Sequence, residues 1–190
     1  MLIDISLDGQ IIAVGDSNRL VYLWQIATTQ LLATFVGHTS WVWSVAFSHD
    51  GNMLASSGSD MTVRLWERNT GQCWQILTEY TGCVWSVNYS LDDQRLASGS
   101  SHQTIRLWDV ATGEDLQVLR GHMGGVFSLL FTTDDQLRTT NYLERLFREF
   151  RTKSDKIGTF SNETSCLTVF WLVVELDHAK HDRRSSANNS

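Results

Sequence analysis

A repeat of 42 residues constrains this chain more than any other feature of its sequence. Trp24, Trp66 and Trp108 stand 42 positions apart, and the segment VWSV at residues 42–45 returns at 84–87 and, as VFSL, at 126–129. No insertion breaks this register over roughly 130 residues. Such self-similarity is the signature of a repeat architecture, in which each unit packs against its neighbours.

Within one period the apolar pattern is typical of β-strands. Residues 41–47 alternate and end at a turn, and residues 52–57, 62–66 and 72–77 form three further short runs between Gly, Asp and Asn turns. Four short strands joined by such turns predict an antiparallel meander. The sequence therefore predicts an all-β fold.

Several motifs at this spacing resemble WD repeats, the blades of β-propellers. They are Gly37-His38, the turn around Asp60, and the pairs Trp66-Glu67 and Trp108-Asp109. The resemblance covers residues 1–136 and implies three four-stranded antiparallel blades, at about 1–36, 37–78 and 79–120, with the start of a fourth at 121–136. Closed propellers have about 4–8 blades. The predicted fold is therefore a partial, open WD-repeat β-propeller.

The resemblance also implies a hydrogen-bonded tetrad of side chains in each complete repeat. The second repeat supplies all four members as His38, Ser56, Asp60 and Trp66. Buried imidazole and indole groups need polar partners, and a hydroxyl and a carboxylate provide them.

The other two repeats depart from this pattern. The third keeps Ser98 and Trp108 as a partial tetrad, and the first keeps the repeat tryptophan Trp24. We expect these two blades to depend on apolar packing and to be less rigid. The replacing residues are Tyr80 and His102 in the third repeat, and Val14 and Asn18 in the first.

Aromatic residues at the start of the predicted inner strands are the candidate partner-binding residues. In the family these positions lie on the face where partners dock, and tryptophan is enriched in binding hot spots. Packing between blades is the alternative role of each aromatic side chain. The candidates are Trp41, Trp43, Trp85 and Phe127, with Ser59 and Ser101 from the adjoining turns.

The sequence predicts neither catalysis nor a cofactor. His38, Ser56 and Asp60 have the residue types of a hydrolase triad, but the resemblance to WD repeats implies that they are buried, and no nucleophile elbow or phosphate loop accompanies them. His178 and His181 form too small a set for a metal site. We predict no enzyme activity, no metal and no cofactor.

Charge and cysteine content narrow the partners and the compartment. The net charge of −6 argues against nucleic acid and anionic membranes. Three cysteines without CxxC spacing favour a reducing compartment, and no leader peptide or membrane-length apolar run is present. We expect a cytoplasmic protein that binds a protein or peptide.

Residues 137–190 form a divergent tail. Only one of the 13 glycines lies there, Arg138 stands where the period requires an apolar residue, and Phe150 stands where it requires tryptophan. A shifted reading frame or a degraded gene explains so abrupt a change. The alternative is a real segment with an amphipathic helix at residues 141–152 that caps the open blade.

These observations predict a non-catalytic scaffold for protein–protein interaction, built from WD repeats and forming a fragment of a longer propeller array. The alternative is a truncated gene product without an independent function. Self-association through the open blade edges is a further expectation.

Overall fold

The computed structural model describes residues 3–132 and 137–139, all within one compact unit of the chain. This part of the chain is all-β and contains fourteen strands and no helix. The predicted helix at residues 141–152 lies outside the described residues.

The strands form three four-stranded antiparallel sheets and a short hairpin, each in simple chain order. The first blade consists of β1 (Ile3–Ile5), β2 (Ile11–Gly15), β3 (Leu20–Gln25) and β4 (Gln30–Val36). The second consists of β5 (Val42–Phe47), β6 (Met53–Gly58), β7 (Val63–Glu67) and β8 (Cys73–Leu77). The third consists of β9 (Val84–Tyr89), β10 (Arg95–Ser100), β11 (Ile105–Asp109) and β12 (Asp115–Leu119). The hairpin consists of β13 (Leu129–Phe131) and β14 (Leu137–Thr139).

This architecture confirms the predicted partial, open propeller. Within the described residues the first strands β1, β5, β9 and β13 lie next to one another, and no sheet closes on itself. The observed strands of the second blade agree with the predicted runs to within one residue at each end.

Pairing registers repeat with the sequence period. Ile5 faces Ile12 in the first blade, as Phe47 faces Leu54 in the second. Every blade also has a register shift between its third and fourth strands, immediately before the repeat tryptophan. The tryptophan therefore occupies the same local geometry in each blade.

The apolar core lies between blades rather than within them. Phe35 of the first blade stacks on Trp66 of the second, with ring centroids 5.5 Å apart. Leu77 of the second blade shares a buried cluster with Trp108 of the third. Trp66 and Trp108 are thus each covered by the last strand of the preceding blade. Trp24, in the first blade, is 36% exposed, against 1% for Trp66.

Side-chain acceptors join the inner strands of neighbouring blades. The amide of Val87 donates to Ser44 Oγ at 3.4 Å, and the amide of Leu129 donates to Ser86 Oγ at 3.2 Å. The amide of Phe47 donates to the Asp4 carboxylate at 2.7 Å. Backbone hydrogen bonds from Val42 to Asp16 and from Val126 to Ser100 add to these side-chain contacts in holding one blade to the next.

An aspartate makes a further link between the second and third blades. Asp93 stands at the turn position that Gly51 occupies one period earlier, and both have a left-handed backbone, with φ of 56° and 71°. The Asp93 carboxylate accepts hydrogen bonds from the amides of His49, at 2.8 Å, and Asp50, at 2.9 Å. The side chain at this strained position therefore fastens two turns together.

The pairing of the β13–β14 hairpin departs from the 42-residue period by one residue. The repeat would place Arg138 opposite Phe131, the site that Leu96 fills opposite Tyr89 in the third blade. Instead Leu137 pairs with Phe131, and Arg138 is exposed. Leu96 is fully buried, so an arginine in its place would carry a charge out of water. A slip of one residue places a leucine there instead. The domain boundary predicted after residue 136 stays a prediction.

We expect Ser86→Ala to lower the free energy of unfolding by about 1 kcal/mol or more, because the Leu129 amide then loses its acceptor. Ser128, one period later on the chain, is exposed. Ser128→Ala is therefore the matched control and should change stability by less than about 0.5 kcal/mol. Urea unfolding measures both, and equal effects would contradict the proposed role of the inner-strand serines.

Candidate partner-binding site

The predicted tetrad residues of the second repeat lie together in one hydrogen-bonded chain. Trp66, in β7, donates its indole N–H to Ser56 Oγ, in β6, at 2.7 Å. Ser56 Oγ also lies 2.7 Å from His38 Nε2, and His38 Nδ1 lies 2.8 Å from the carboxylate of Asp60 in the β6–β7 turn. The hydrogen bonds are all satisfied if Nδ1–H donates to Asp60 and the serine hydroxyl donates to Nε2.

The surroundings of Asp60 favour its ionised form. Burial raises the pKa of the Asp60 carboxyl, but the hydrogen bonds that it accepts from His38, from the Thr39 N–H and from Thr62 outweigh burial. The net result lowers the Asp60 pKa from 3.8 to about 2. The carboxylate thus stays charged at neutral pH and holds the loop before β5 against the turn after β6.

This triad-like set is closed to substrates. Ser56 is fully buried, and the side chains of His38 and Asp60 are 1% and 2% exposed. The serine hydroxyl already serves the indole and the imidazole. The arrangement fixes the blade and offers no access for hydrolysis.

The third blade corrects the expectation that it depends on apolar packing alone. Tyr80 stands in place of the histidine, and its hydroxyl donates to Ser98 Oγ at 2.5 Å. Trp108 donates its indole N–H to the same oxygen at 3.0 Å. The phenol thus restores the polar contact that the imidazole makes in the second blade. His102, in place of the aspartate, lies instead 2.8 Å from the Thr81 hydroxyl.

Tyr80 is also enclosed by aromatic and cationic groups. Its ring lies 5.6 Å from that of Trp108, and the Arg106 guanidinium lies 5.8 Å from both ring centroids. Burial raises the pKa of the Tyr80 hydroxyl, so it keeps its proton and remains a donor. The 42-residue period aligns Tyr80 with His38, and this alignment is the sequence signal for the role of Tyr80 as the partner of the buried serine.

The aromatic candidates lie at the start of the inner strands, at the same end of the blades as the β6–β7 turn. Trp41 is 53% exposed and makes an edge contact with Trp43, with ring centroids 5.6 Å apart. Trp43 donates its indole N–H to Ser59 Oγ at 2.5 Å. Ser59 in turn donates its amide to the Trp41 carbonyl at 2.8 Å. The turn serine thus orients the Trp41–Trp43 pair.

The second aromatic pair joins the third blade to the segment that precedes β13. Trp85 stacks on Phe127 with ring centroids 4.3 Å apart, and Phe127 is 61% exposed. Gly125 lies beneath the Trp85 ring, where a Cβ atom would collide with the indole. Ser101 donates its amide to the Cys83 carbonyl at 2.9 Å, as Ser59 does to Trp41. We call Trp41, Trp43, Trp85 and Phe127 the aromatic face.

Four-stranded antiparallel blades that share their core with the next blade are typical of β-propeller repeat proteins. An indole, a hydroxyl and an imidazole fix the second blade, and a phenol replaces the imidazole in the third. The family model described as WD domain, G-beta repeat matches residues 29–67 and 71–109. The two matches, together with the blade architecture, support a WD-repeat family for this part of the chain. Each match takes in the last strand of one blade and the first three of the next. WD repeats generally mediate protein–protein interaction and are typically non-enzymatic.

A comparison with curated proteins finds no match to this chain. In the part of the chain that the structure describes, no helix is long and apolar enough to cross a membrane. The same residues contain no group of three potential metal ligands, while His178 and His181 lie outside them.

We expect Ser56→Ala to cost about 2–3 kcal/mol of unfolding free energy, because both the buried indole and the imidazole lose their partner. Its neighbour Ser57 is equally buried, but its hydroxyl has no hydrogen-bond partner. Ser57→Ala is therefore the matched control, and it should be neutral or stabilising. Chemical denaturation separates the two, and a larger loss from Ser57→Ala would refute the assignment of Ser56.

The contribution of Asp60 should disappear in acid. Its folded pKa of about 2 lies below the ordinary 3.8, so the carboxylate stabilises the fold above about pH 4 and this stabilisation is lost as the pH falls to about 2. The stability difference between the wild type and Asp60→Asn should therefore shrink over that interval. Titrations of the other carboxyls occur in both proteins and cancel in the difference. A difference that stays constant down to pH 2 would show that Asp60 is not the titrating group.

Proposed function

We propose that this chain is a non-catalytic scaffold that binds a protein or peptide through the aromatic face. The observation that carries the proposal is the exposure of large aromatic rings on a rigid frame, with Trp41 at 53% and Phe127 at 61%. Single exposed aromatic side chains are common on protein surfaces. Here Trp43, Trp85 and Phe127 occupy the same strand position in successive blades, and with Trp41 they form two pairs of rings on one surface.

The geometry of the face suits a binding hot spot. Tryptophan contributes large apolar area, few rotatable bonds and one donor, which is why it dominates the energetics of many interfaces. The Ser59 contact fixes the Trp43 ring before a partner arrives, and the Phe127 stack does the same for Trp85. Fixed rings lose little conformational entropy on binding.

The charge of the chain supports a protein or peptide partner rather than nucleic acid or an anionic membrane, since the net charge is −6. Cys73 and Cys83 are free thiols, which supports a reducing compartment, and we place the protein in the cytoplasm.

The open edge of the first blade supports two further elements of the proposal. Trp24 in the first blade is 36% exposed, whereas its counterpart Trp66 in the second blade is covered by the preceding blade and is 1% exposed. We propose that these blades form part of a longer propeller array, and that isolated copies self-associate through this edge. The alternative is a truncated product without its own function, and the one-residue shift in the pairing of β13 and β14 favours that alternative.

Replacement of both Trp41 and Trp43 by alanine should abolish capture of a binding partner while leaving the fold intact, because neither ring fills the core between blades. Affinity capture followed by mass spectrometry compares this variant with the wild type, and circular dichroism verifies folding. The control is Leu116→Ala, which removes an equally exposed apolar side chain, at 51%, from the outer strand β12.

Partners retained by Leu116→Ala but lost from the double variant would support the aromatic face. Partners that survive in the double variant would show that the face is wrong, and absence of any specific partner of the wild type would favour the truncated product. Sedimentation velocity of the same samples tests the self-association.

A further inference from the structure

A groove of ≈ 640 Å³ lies between the second and third blades. Its walls come from the beginning of β6, the end of β7, the beginning of β8 and the turns after β9 and β11. These segments lie at the opposite ends of the strands from the aromatic face. The groove is therefore a separate surface on the other side of the molecule.

One wall of the groove is apolar and aromatic. Trp74 projects from the outer strand β8 and is 50% exposed, and Met53 and Val110 line the groove beside it. An exposed indole next to aliphatic side chains provides a flat surface for a planar or aliphatic group.

The remaining chemistry of the groove is acidic. Glu67, Asp93 and Asp109 line it, and none of the described lining residues is a lysine, arginine or histidine. All three carboxylates are held in place: Glu67 by the Thr70 hydroxyl, Asp93 by the amides of His49 and Asp50, and Asp109 by Thr112. The Asp93 carboxylate also lies 3.0 Å from Nδ1 of the His49 imidazole. The hydrogen bonds from Thr112 lower the pKa of the Asp109 carboxyl, so it is ionised at neutral pH.

The wall that carries Asp109 is fixed against the neighbouring blade. Gly113, with φ of 72°, closes the turn, and the Gln75 side chain of β8 occupies the space where a Cβ atom would stand. The amide of Gly113 donates to the Asp109 carbonyl at 2.9 Å. The groove is thus formed by packed turns.

The repeat itself shows that this chemistry is not a requirement of the fold. One period earlier, Leu32 stands in place of Trp74, Gln25 in place of Glu67, and Gly51 in place of Asp93. Glu67 itself stands in place of Asp109, so the earlier set keeps one carboxylate, and Arg68 stands in place of Val110. The same architecture therefore forms with a nearly neutral, non-aromatic set. The indole and the set of three carboxylates thus distinguish the groove between the second and third blades from the equivalent positions one period earlier.

We propose that this groove binds an arginine side chain of a peptide partner. A guanidinium group stacks on an indole and forms paired hydrogen bonds with carboxylates, whereas its methylene stem packs on apolar side chains. The three features of the groove match the three parts of arginine. The site is distinct from the aromatic face, so a partner can occupy one without the other.

The probe is the capped peptide acetyl-Gly-Leu-Arg-Leu-Gly-amide, titrated into the full chain and followed by NMR at the indole N–H signals. The Trp74 signal is assigned by its absence from Trp74→Leu. We expect this signal to shift with a dissociation constant of about 1 mM, which weakens as the ionic strength is raised. The same peptide with citrulline, which keeps the shape but lacks the charge, should bind at least about tenfold more weakly.

Two variants copy the chemistry one period earlier. Trp74→Leu and Glu67→Gln reproduce Leu32 and Gln25, and each should weaken binding several-fold. Glu67 is exposed, so Glu67→Gln remains informative if Trp74→Leu fails to fold. The Trp41/Trp43 double alanine variant should bind the peptide as the wild type does. Equal binding of the citrulline peptide, unchanged binding to Glu67→Gln, or a Trp74 signal that does not move would overturn the proposal.

Discussion

The burial of Trp66 and of Trp108 by the preceding blade is the interaction on which the rest of the structure depends. A four-stranded sheet of this size has two faces and cannot cover either by itself. Trp66 lies under Phe35, and Trp108 lies in the cluster that contains Leu77. At the same junction a serine hydroxyl accepts the indole N–H, and a histidine or tyrosine contacts that hydroxyl in turn. Position, packing and polarity of each blade are thus set by its neighbour.

Much of this arrangement could be predicted from the sequence, because the period fixes which residues are equivalent. The strands of the second blade and the grouping of His38, Ser56, Asp60 and Trp66 follow from alignment of the repeats and from the need of buried polar groups for partners. The resemblance to WD repeats supplied the roles within that group. Equivalence of position thus carries over geometry from one blade to another.

Two features of the structure could not be predicted from the 42-residue period. Alignment of the repeats indicates that Tyr80 replaces a histidine and loses its polar contact, whereas the Tyr80 hydroxyl reaches Ser98. Whether a longer aromatic side chain reaches the same oxygen depends on how its ring packs. The hairpin of β13 and β14 slips by one residue, because a fixed period assigns Arg138 to a buried site that favours Leu137. Sequence alignment treats register as constant, but strand pairing follows the cost of burying a charge.

The offset between repeat and blade has a consequence for how such an array grows. Each family match begins in the last strand of one blade and ends in the third strand of the next, so one 42-residue unit contains both a tryptophan and the residue that covers it. A tandem duplication of this unit would add a tryptophan together with the residue that covers it and the side chains that hydrogen-bond to it. It would therefore insert a complete interface between two blades. Lengthening the array therefore needs no compensating change elsewhere, and the aromatic face and the acidic groove show that successive copies are free to acquire different surface chemistry.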